Sequence, residues 1–340
     1  MLDAWWRLRR TETLTVLLFH RVLPKDAAEL ANTDPACAIS VDLFRECLLF
    51  LRDRCNAIGI DDLLSHLDGR RRLPTAPLLL TFDDGWSDTA EFALPVLTRL
   101  GLPSTIFVTS DAVESSNPVW WQDDVASALR STRMCESDAL DLLTRVGRDG
   151  RPWRGPSPED HNIFLALIAA LASRGTEERD ALLAPFRQHR PVAHRQMLRP
   201  DQLTALRSAR IGLACHSAAH LPLTLLSDDE IAADLMRCRD TLVRWAGEPA
   251  DSIRRCLAFP HGRYDDRVVA AARQAGFDLL FGTEACINAL PEPGRPALLN
   301  RIPMSTAAVS GTDGTLRPDR LATWLFTRRR RAVSLPGGLN

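Results

Sequence analysis

The sequence predicts an α/β protein built from parallel β/α units that a helical insertion interrupts. Three observations carry that reading. Short apolar runs, Thr13 to Phe19, Leu78 to Phe82 and Ser104 to Thr109, alternate with helix-patterned stretches. The rhythm stops between Ser110 and Pro200, then resumes at Ile211 to Cys215, Cys256 to Pro260 and Asp278 to Thr283. Polar residues follow the apolar runs directly: His20, Asp83, Asp84, His216, His220 and His261. In a β/α barrel such positions converge on one mouth.

Taken in order, Thr13 to Phe19 is β-rich and delivers His20 and Arg21 at its end. Ser40 reads as the cap of a helix with Phe44, Cys47, Leu48 and Leu51 at helical spacing. After "DGRRRLP" come the second strand, a helix from Thr89 to Leu100, and the strand "STIFVT". The interrupting segment predicts helices over Trp121 to Arg145, Pro158 to Ser173 and Glu177 to Gln188. The Gly/Pro-rich "GRDGRPWRGPSPED" is a loop between them, and Ser157, Pro158 and Asp160 open the next helix. A helix over Asp201 to Ala209 leads back into the strand series. Ser227 and Glu230 form a capping box for a helix presenting Ile231, Leu235, Cys238, Leu242 and Trp245, which Gly247 ends. Asp265 to Ala275 is the last helix of the series. The expected divisions are an N-terminal segment 1–12, a barrel 13–304 interrupted by an insertion 111–198, and an Arg-rich tail 305–340. The tail reads as a surface helix plus disorder, with the "RRRR" at 328–331 a solvated charge run. The insertion is expected as a lid or wall over the mouth.

A chain of 340 residues with 45% hydrophobic content supports a large buried core. A net charge of −1 gives no global attraction for nucleic acid, so no nucleic-acid partner is expected. The eight cysteines form no CxxC pair and read as reduced, mostly buried thiols. No apolar stretch has signal-peptide length and none approaches the ~20 residues of a membrane span, which predicts a cytoplasmic protein. Trp5, Trp6, Arg7, Arg9 and Arg10 offer a peripheral membrane contact, although tryptophans docked on the core are the plainer expectation.

Two adjacent carboxylates at a strand end repel each other and need a purpose. His216 and His220 supply one, because imidazoles four apart suit a metal ion. One carboxylate and two imidazoles leave positions open for water and substrate, the catalytic arrangement. One aspartate then binds the ion, and the other stands beside the water as general base.

The motifs "TFDDG" (81–85), "HSAAH" (216–220) and "FPHGRYDD" (259–266), with "FHRVLP" (19–24) and "AGFDLLFGT" (275–283), resemble the polysaccharide deacetylase (NodB-homology, carbohydrate esterase family 4-like) family. The resemblance covers roughly residues 13–110 and 196–304. It implies a distorted (β/α)7 barrel and metal-dependent removal of an N-acetyl group from a sugar. It further implies that Asp84, His216 and His220 hold the metal and that Asp83 is the base. Gly85 gives the turn that lets both aspartates face the mouth. The implied cofactor is one divalent ion, zinc first, with cobalt, nickel, manganese or iron as alternatives.

Two departures stand out. The family's tyrosine, whose backbone N–H helps bind the oxyanion, is His261 here, and its base-orienting arginine is Ala258, leaving Arg301 or Arg263 to substitute. The late histidine that serves as general acid has no counterpart after His261. His20 and His261 are the replacements on offer, His20 preferred. The expected substrate is an oligosaccharide, polysaccharide or lipid-linked glycan precursor. The alternatives are a deformylase or other amidase, and a non-catalytic glycan-binding protein.

Weaker candidates have plain structural readings. Trp120 and Trp121 form either a sugar-stacking wall or, more simply, helix-start core. Asp123 and Asp124 suit a first helical turn. His66, His161, His189 and His194 lie away from predicted strand ends, and Tyr264 reads as a brace for the loop after Gly262.

Overall fold

The computed structural model describes residues 12–27, 29–30, 33–115, 119–130, 134–146, 163–172, 174–186, 195–209, 211–311 and 314–333. They divide into two compact units, one of Met1–Glu114 with Leu198–Asn340 and one of Ser115–Met197.

The first unit contains strands β1 (Thr13–Phe19), β2 (Arg21–Leu23), β3 (Ala38–Ser40), β4 (Asn56–Ile58), β5 (Pro77–Phe82), β6 (Ser104–Val108) and β7 (Ile211–Cys215). It continues with β8 (Cys256–Ala258), β9 (Leu279–Phe281), β10 (Ile287–Ala289), β11 (Ala297–Leu299), β12 (Ile302–Pro303) and β13 (Arg330–Arg331). Parallel strands in the order β11-β9-β8-β7-β6-β5-β1 curl into an incomplete barrel. β12 pairs with β1, Ile302 opposite Leu17, so Asn300 and Arg301 carry the chain from one edge of the ladder to the other. Asn288 fastens this crossing: its amide donates to the Asn300 carbonyl and accepts from the Asn300 N–H, each at 2.8 Å.

The strands read as continuous apolar runs because both faces are buried. Leu14, Val16, Leu79, Phe107, Ala214, Ala258, Phe281 and Leu299 fill the barrel, and Phe107 and Phe281 meet with ring centres 4.9 Å apart. Leu17, Phe19, Leu80 and Phe82 face the other way, into the layer under the helices. The short β4 and the helix Ile60–Leu67 were not expected, since three and eight residues show too little periodicity to be read. They plug the N-terminal end of the barrel with Ile60, Leu63, Leu64 and Leu67. Gly212 admits that plug, because a Cβ there would lie 2.5 Å from Ile60 Cγ2.

The helices follow their caps. Ser40 Oγ accepts from Leu43 N at the start of Val41–Arg52, and Ser227 and Glu230 cap Asp228–Ala246 reciprocally. The helix expected from Thr89 opens as a widened π-type turn (Thr89–Ala93) before Leu94–Leu100, where Pro95 supplies no N–H to the preceding turn. The tail carries the expected surface helix, and Arg330 and Arg331 stay exposed. Helix Pro318–Phe326 buries Leu321, Ala322, Leu325 and Phe326, and Phe326 stacks on Phe50. Arg330 and Arg331 pair with β10 and meet Glu12 and Glu284.

The second unit holds helices Trp121–Arg130, Glu136–Val146, Ile163–Ala172 and Thr176–Leu183 around Val125, Leu142, Leu167, Leu171 and Leu183. The single helix predicted over Trp121 to Arg145 is therefore two. Asp138 accepts from Cys135 N at 2.9 Å and starts the second. Trp120 is buried, and Trp121 packs on this unit's core with the Arg179 guanidinium over its ring, 4.6 Å from the ring centre. The predicted helix start at Ser157 to Asp160, His161, His189, His194, and the N-terminal Trp and Arg residues lie outside the described residues. Among the described residues no helix is long and apolar enough to cross a membrane. All eight cysteines are free; Cys135 is exposed and Cys37 half-buried.

Candidate metal centre

Strand alternation aims the chemistry. Leu79 faces the barrel interior, so Asp83, four residues on, faces the mouth; Ala214 does the same for His216, and Leu299 for Arg301. An extended Asp84 would point away, but its φ of 75° turns the chain back and Gly85 (φ 91°) continues the turn. Both carboxylates thereby reach one space. Among the described non-glycine residues, positive φ occurs at Ala76, Asp84, Ser217, His220 and His261, four of the five within the three motifs. Backbone strain is concentrated where side chains must converge.

His216 Nδ1 donates to the Ala258 carbonyl at 2.8 Å, and since a carbonyl only accepts, Nδ1 carries the proton. Its Nε2 is left facing Asp83 Oδ2 and Asp84 Oδ1, each at 3.5 Å. His220 Nε2 lies 3.2 Å from Asp84 Oδ1. Asp234, buried on helix Asp228–Ala246, holds the intervening loop by accepting from Ala218 N (2.8 Å) and Ala219 N (3.0 Å). Asp84 Oδ2 accepts from the Trp86 indole at 2.9 Å, whereas Asp84 Oδ1 is buried with no hydrogen-bond partner. An orphaned carboxylate oxygen between two imidazoles fits a cation. Asp84, His216 and His220 bring one donor atom each within 4.8 Å of one another. One carboxylate and two neutral nitrogens suit a first-row divalent ion.

Asp83 is gripped instead by Arg301, which donates from both terminal nitrogens at 2.5 and 2.7 Å. Arg301 is wholly buried, gives its Nε–H to the Gly282 carbonyl and lies over Phe107. Arg263 is exposed, so the guanidinium missing at Ala258 is supplied by Arg301. Burial works against the charge on Asp83, but Arg301, then His216 and His20, hold its carboxyl below the usual range. Burial is likewise overcome at Asp84, by His220 first, and that carboxyl lies well below its ordinary value.

His20 is half-buried on the inward parity of Leu14 and Val16, near enough that its charge lowers both aspartates. The His261 ring centre lies 4.4 Å from that of His220, and its Nε2 meets the His220 carbonyl at 3.3 Å. Burial, then His220, keeps this imidazole neutral. Tyr264 stacks on Phe259, and His66 lies outside the centre with its ring nitrogens 3.2 and 3.0 Å from the Arg71 and Pro291 carbonyls. Sequence reasoning missed Trp86 and Asp234. Trp86 stands two residues past Asp84, but nothing in the text says that its N–H turns back.

The sequence profile described as polysaccharide deacetylase matches residues 70–280, more than half of the chain. This chain belongs to the polysaccharide deacetylase family. Solved structures repeat the family's fold. The Streptococcus pyogenes deacetylase PplD in complex with acetate gives a TM-score of 0.57 at 16% identity, covering 92% of this chain and 98% of that one. IcaB from Ammonifex degensii gives 0.53 at 20%, covering 93% and 98%. The de-N-acetylase from Aggregatibacter actinomycetemcomitans gives 0.56 at 16%, covering 89% and 98%. At these identities the likeness is one of fold. No curated protein matches the sequence.

Proposed function

We propose that this polysaccharide deacetylase family member hydrolyses the N-acetyl group of an amino sugar within a glycan. The observation that carries the reading is the unpartnered Asp84 Oδ1 between His216 and His220, with Asp83 beside it and held off by Arg301. Asp84, His216 and His220 hold the ion, with zinc proposed on the strength of two imidazole nitrogens and one carboxylate. A divalent ion there supplies a water of lowered pKa and polarises the acyl carbonyl.

Asp83 takes the proton from the attacking water, as a carboxylate kept ionised by Arg301. The backbone N–H of His261 receives charge developing on the carbonyl oxygen. The carbon–nitrogen bond breaks, His20 gives a proton to the leaving amine, and acetate and a free amino sugar result. A glycan-binding protein without turnover has two motives, the gap at Ala258 and the absence of a late histidine after His261. Arg301 on Asp83 answers the first of these.

The test is acetate and formate release from short N-acylated oligosaccharides and lipid-linked glycan precursors, comparing metal-reconstituted wild type with Asp83→Asn. Acetate release that collapses in the variant is the expected result. Formate release alone turns the reading into a deformylase. Silence from wild type carrying stoichiometric metal overturns deacylation of this substrate class.

A further inference from the structure

Outside the ligand set, a second group of buried polar side chains reaches the metal centre from behind. Arg21, the first residue of β2, is 4% exposed, and Asp88, which ends "TFDDGWSD", is 3% exposed. The Arg21 Nε–H donates to Asp88 Oδ2 at 2.7 Å, and Asp88 Oδ1 accepts from Val22 N at 3.1 Å. Arg21 Nη1 donates to Thr33 Oγ1 at 3.2 Å, so the guanidinium is held from two sides. Its Cζ lies over the Trp86 ring, 4.2 Å from the ring centre. That indole is itself buried, and its N–H ends on Asp84 Oδ2 at 2.9 Å.

Burying an ion pair costs desolvation that its own attraction often only matches, so stability alone is a weak reason for its presence. Orientation is a stronger reason. A guanidinium held by two partners is a fixed cation, and an indole with its ring under that cation cannot tilt without losing the cation–π contact. The indole N–H occupies one oxygen of Asp84, which leaves the other, Oδ1, as the oxygen that faces His216 and His220. Groups of this kind behind a metal ligand set its orientation and tune its affinity.

We propose that Arg21 and Asp88 are positioning residues of the metal centre, acting through Trp86 to present Asp84 Oδ1 to the ion. The inference rests on the reading of Asp84, His216 and His220 as ligands.

The test is titration of the full-length metal-free protein with Co²⁺, reading the dissociation constant and the visible ligand-field absorption. Wild type, Trp86→Phe, Arg21→Met/Asp88→Asn and the triple variant are compared, with thermal melts of each. Trp86→Phe keeps the stacking partner but removes the N–H, and it weakens Co²⁺ binding about 10- to 100-fold with an altered absorption envelope. The double variant leaves no unpaired buried charge and weakens binding in the same direction. The triple variant is no weaker than Trp86→Phe alone, because both changes act through one indole. Arg21→Lys, which keeps the charge without the flat face, recovers little of the loss. The proposal is overturned if the double variant melts lower yet binds Co²⁺ with wild-type affinity and spectrum, or if the effects of the two sites add. Wild type that binds no Co²⁺ removes the ligand reading itself, and the inference with it. Wild-type binding that Trp86→Phe leaves unchanged removes the inference alone.

Discussion

Arg301 closes on Asp83 with hydrogen bonds of 2.5 and 2.7 Å from 218 positions further along the chain. It stands on the two-residue crossing that carries the chain from β11 to β12, where the ends of the curled sheet approach each other. The contact on Asp83, the proposed base, is thus set by the same crossing that links the two edges of the incomplete barrel. A family arginine expected near residue 258 is replaced by one arriving from a different strand end, with its guanidinium on the same carboxylate.

With Asp83 as the proposed base, this pair is expected to shape the acid side of the pH profile. A carboxylate with a depressed pKa works at pH values above that pKa and is lost as pH falls through it. Protonation of Asp83 itself is therefore expected only below the ordinary carboxylate range of about 4, so this group does not limit kcat/KM near neutral pH. Arg301→Met removes the largest lowering influence and leaves the raising effect of burial, so the acid limb moves to higher pH and the rate at neutral pH falls. A pH–rate profile of the variant that overlies wild type would show that Arg301 does not tune the base.

The strands and motifs were legible because burial on both faces writes them as apolar runs ending in polar residues. Thr13–Phe19 and Ile211–Cys215 stand as read, and the capping box at Ser227 marked its helix. Asp83, Asp84, His216 and His220 were legible from type and spacing. Arg301 was readable only as one of two arginines, since the choice depends on which strand end faces the mouth. Trp86 and Asp234 were not legible, because a backward-turning indole and a carboxylate reaching from the following helix depend on three-dimensional placement. β4 and its plug helix escaped because their period is too short to measure.

Chelation is expected to stop turnover and to lower the melting temperature. An ion that binds only the folded chain stabilises it by about 4 kcal/mol when its free concentration is 1,000 times Kd. His220→Ala deletes one ligand and with it the dependence. Its melting temperature no longer rises when metal is added back, measured by calorimetry with and without chelator. A variant stabilised by metal as much as wild type would place the ion elsewhere.

The proposed protonation of the leaving amine gives His20 a measurable signature. His20→Gln is expected to lower kcat on an N-acetyl amide by roughly 100-fold or more, the contribution of a positioned acid. The same variant should retain most of its rate on an aryl acetate ester, whose leaving group needs no proton, and its Co²⁺ affinity should be unchanged. Unchanged kcat on the amide across the pH range would remove His20 from the mechanism.

The third motif depends on Gly262 more than on the side chain that precedes it. Gly262 has a φ of 65°, and a Cβ there would stand 1.8 Å from Thr283 Oγ1, 2.8 Å from its Cβ and 2.9 Å from its Cγ2. Gly262→Ala therefore meets two separate obstacles, a left-handed backbone costing about 1–2 kcal/mol and a steric overlap added to it. The expected result is a lower urea midpoint and a reduced kcat, since the turn that carries His261 must shift to admit the methyl group. Adding Thr283→Gly removes all three crowding atoms and leaves only the backbone cost, so the double variant should recover part of the midpoint and part of the rate. Full wild-type stability in Gly262→Ala would mean that the turn yields freely, and the case for a fixed His261 N–H would fall with it.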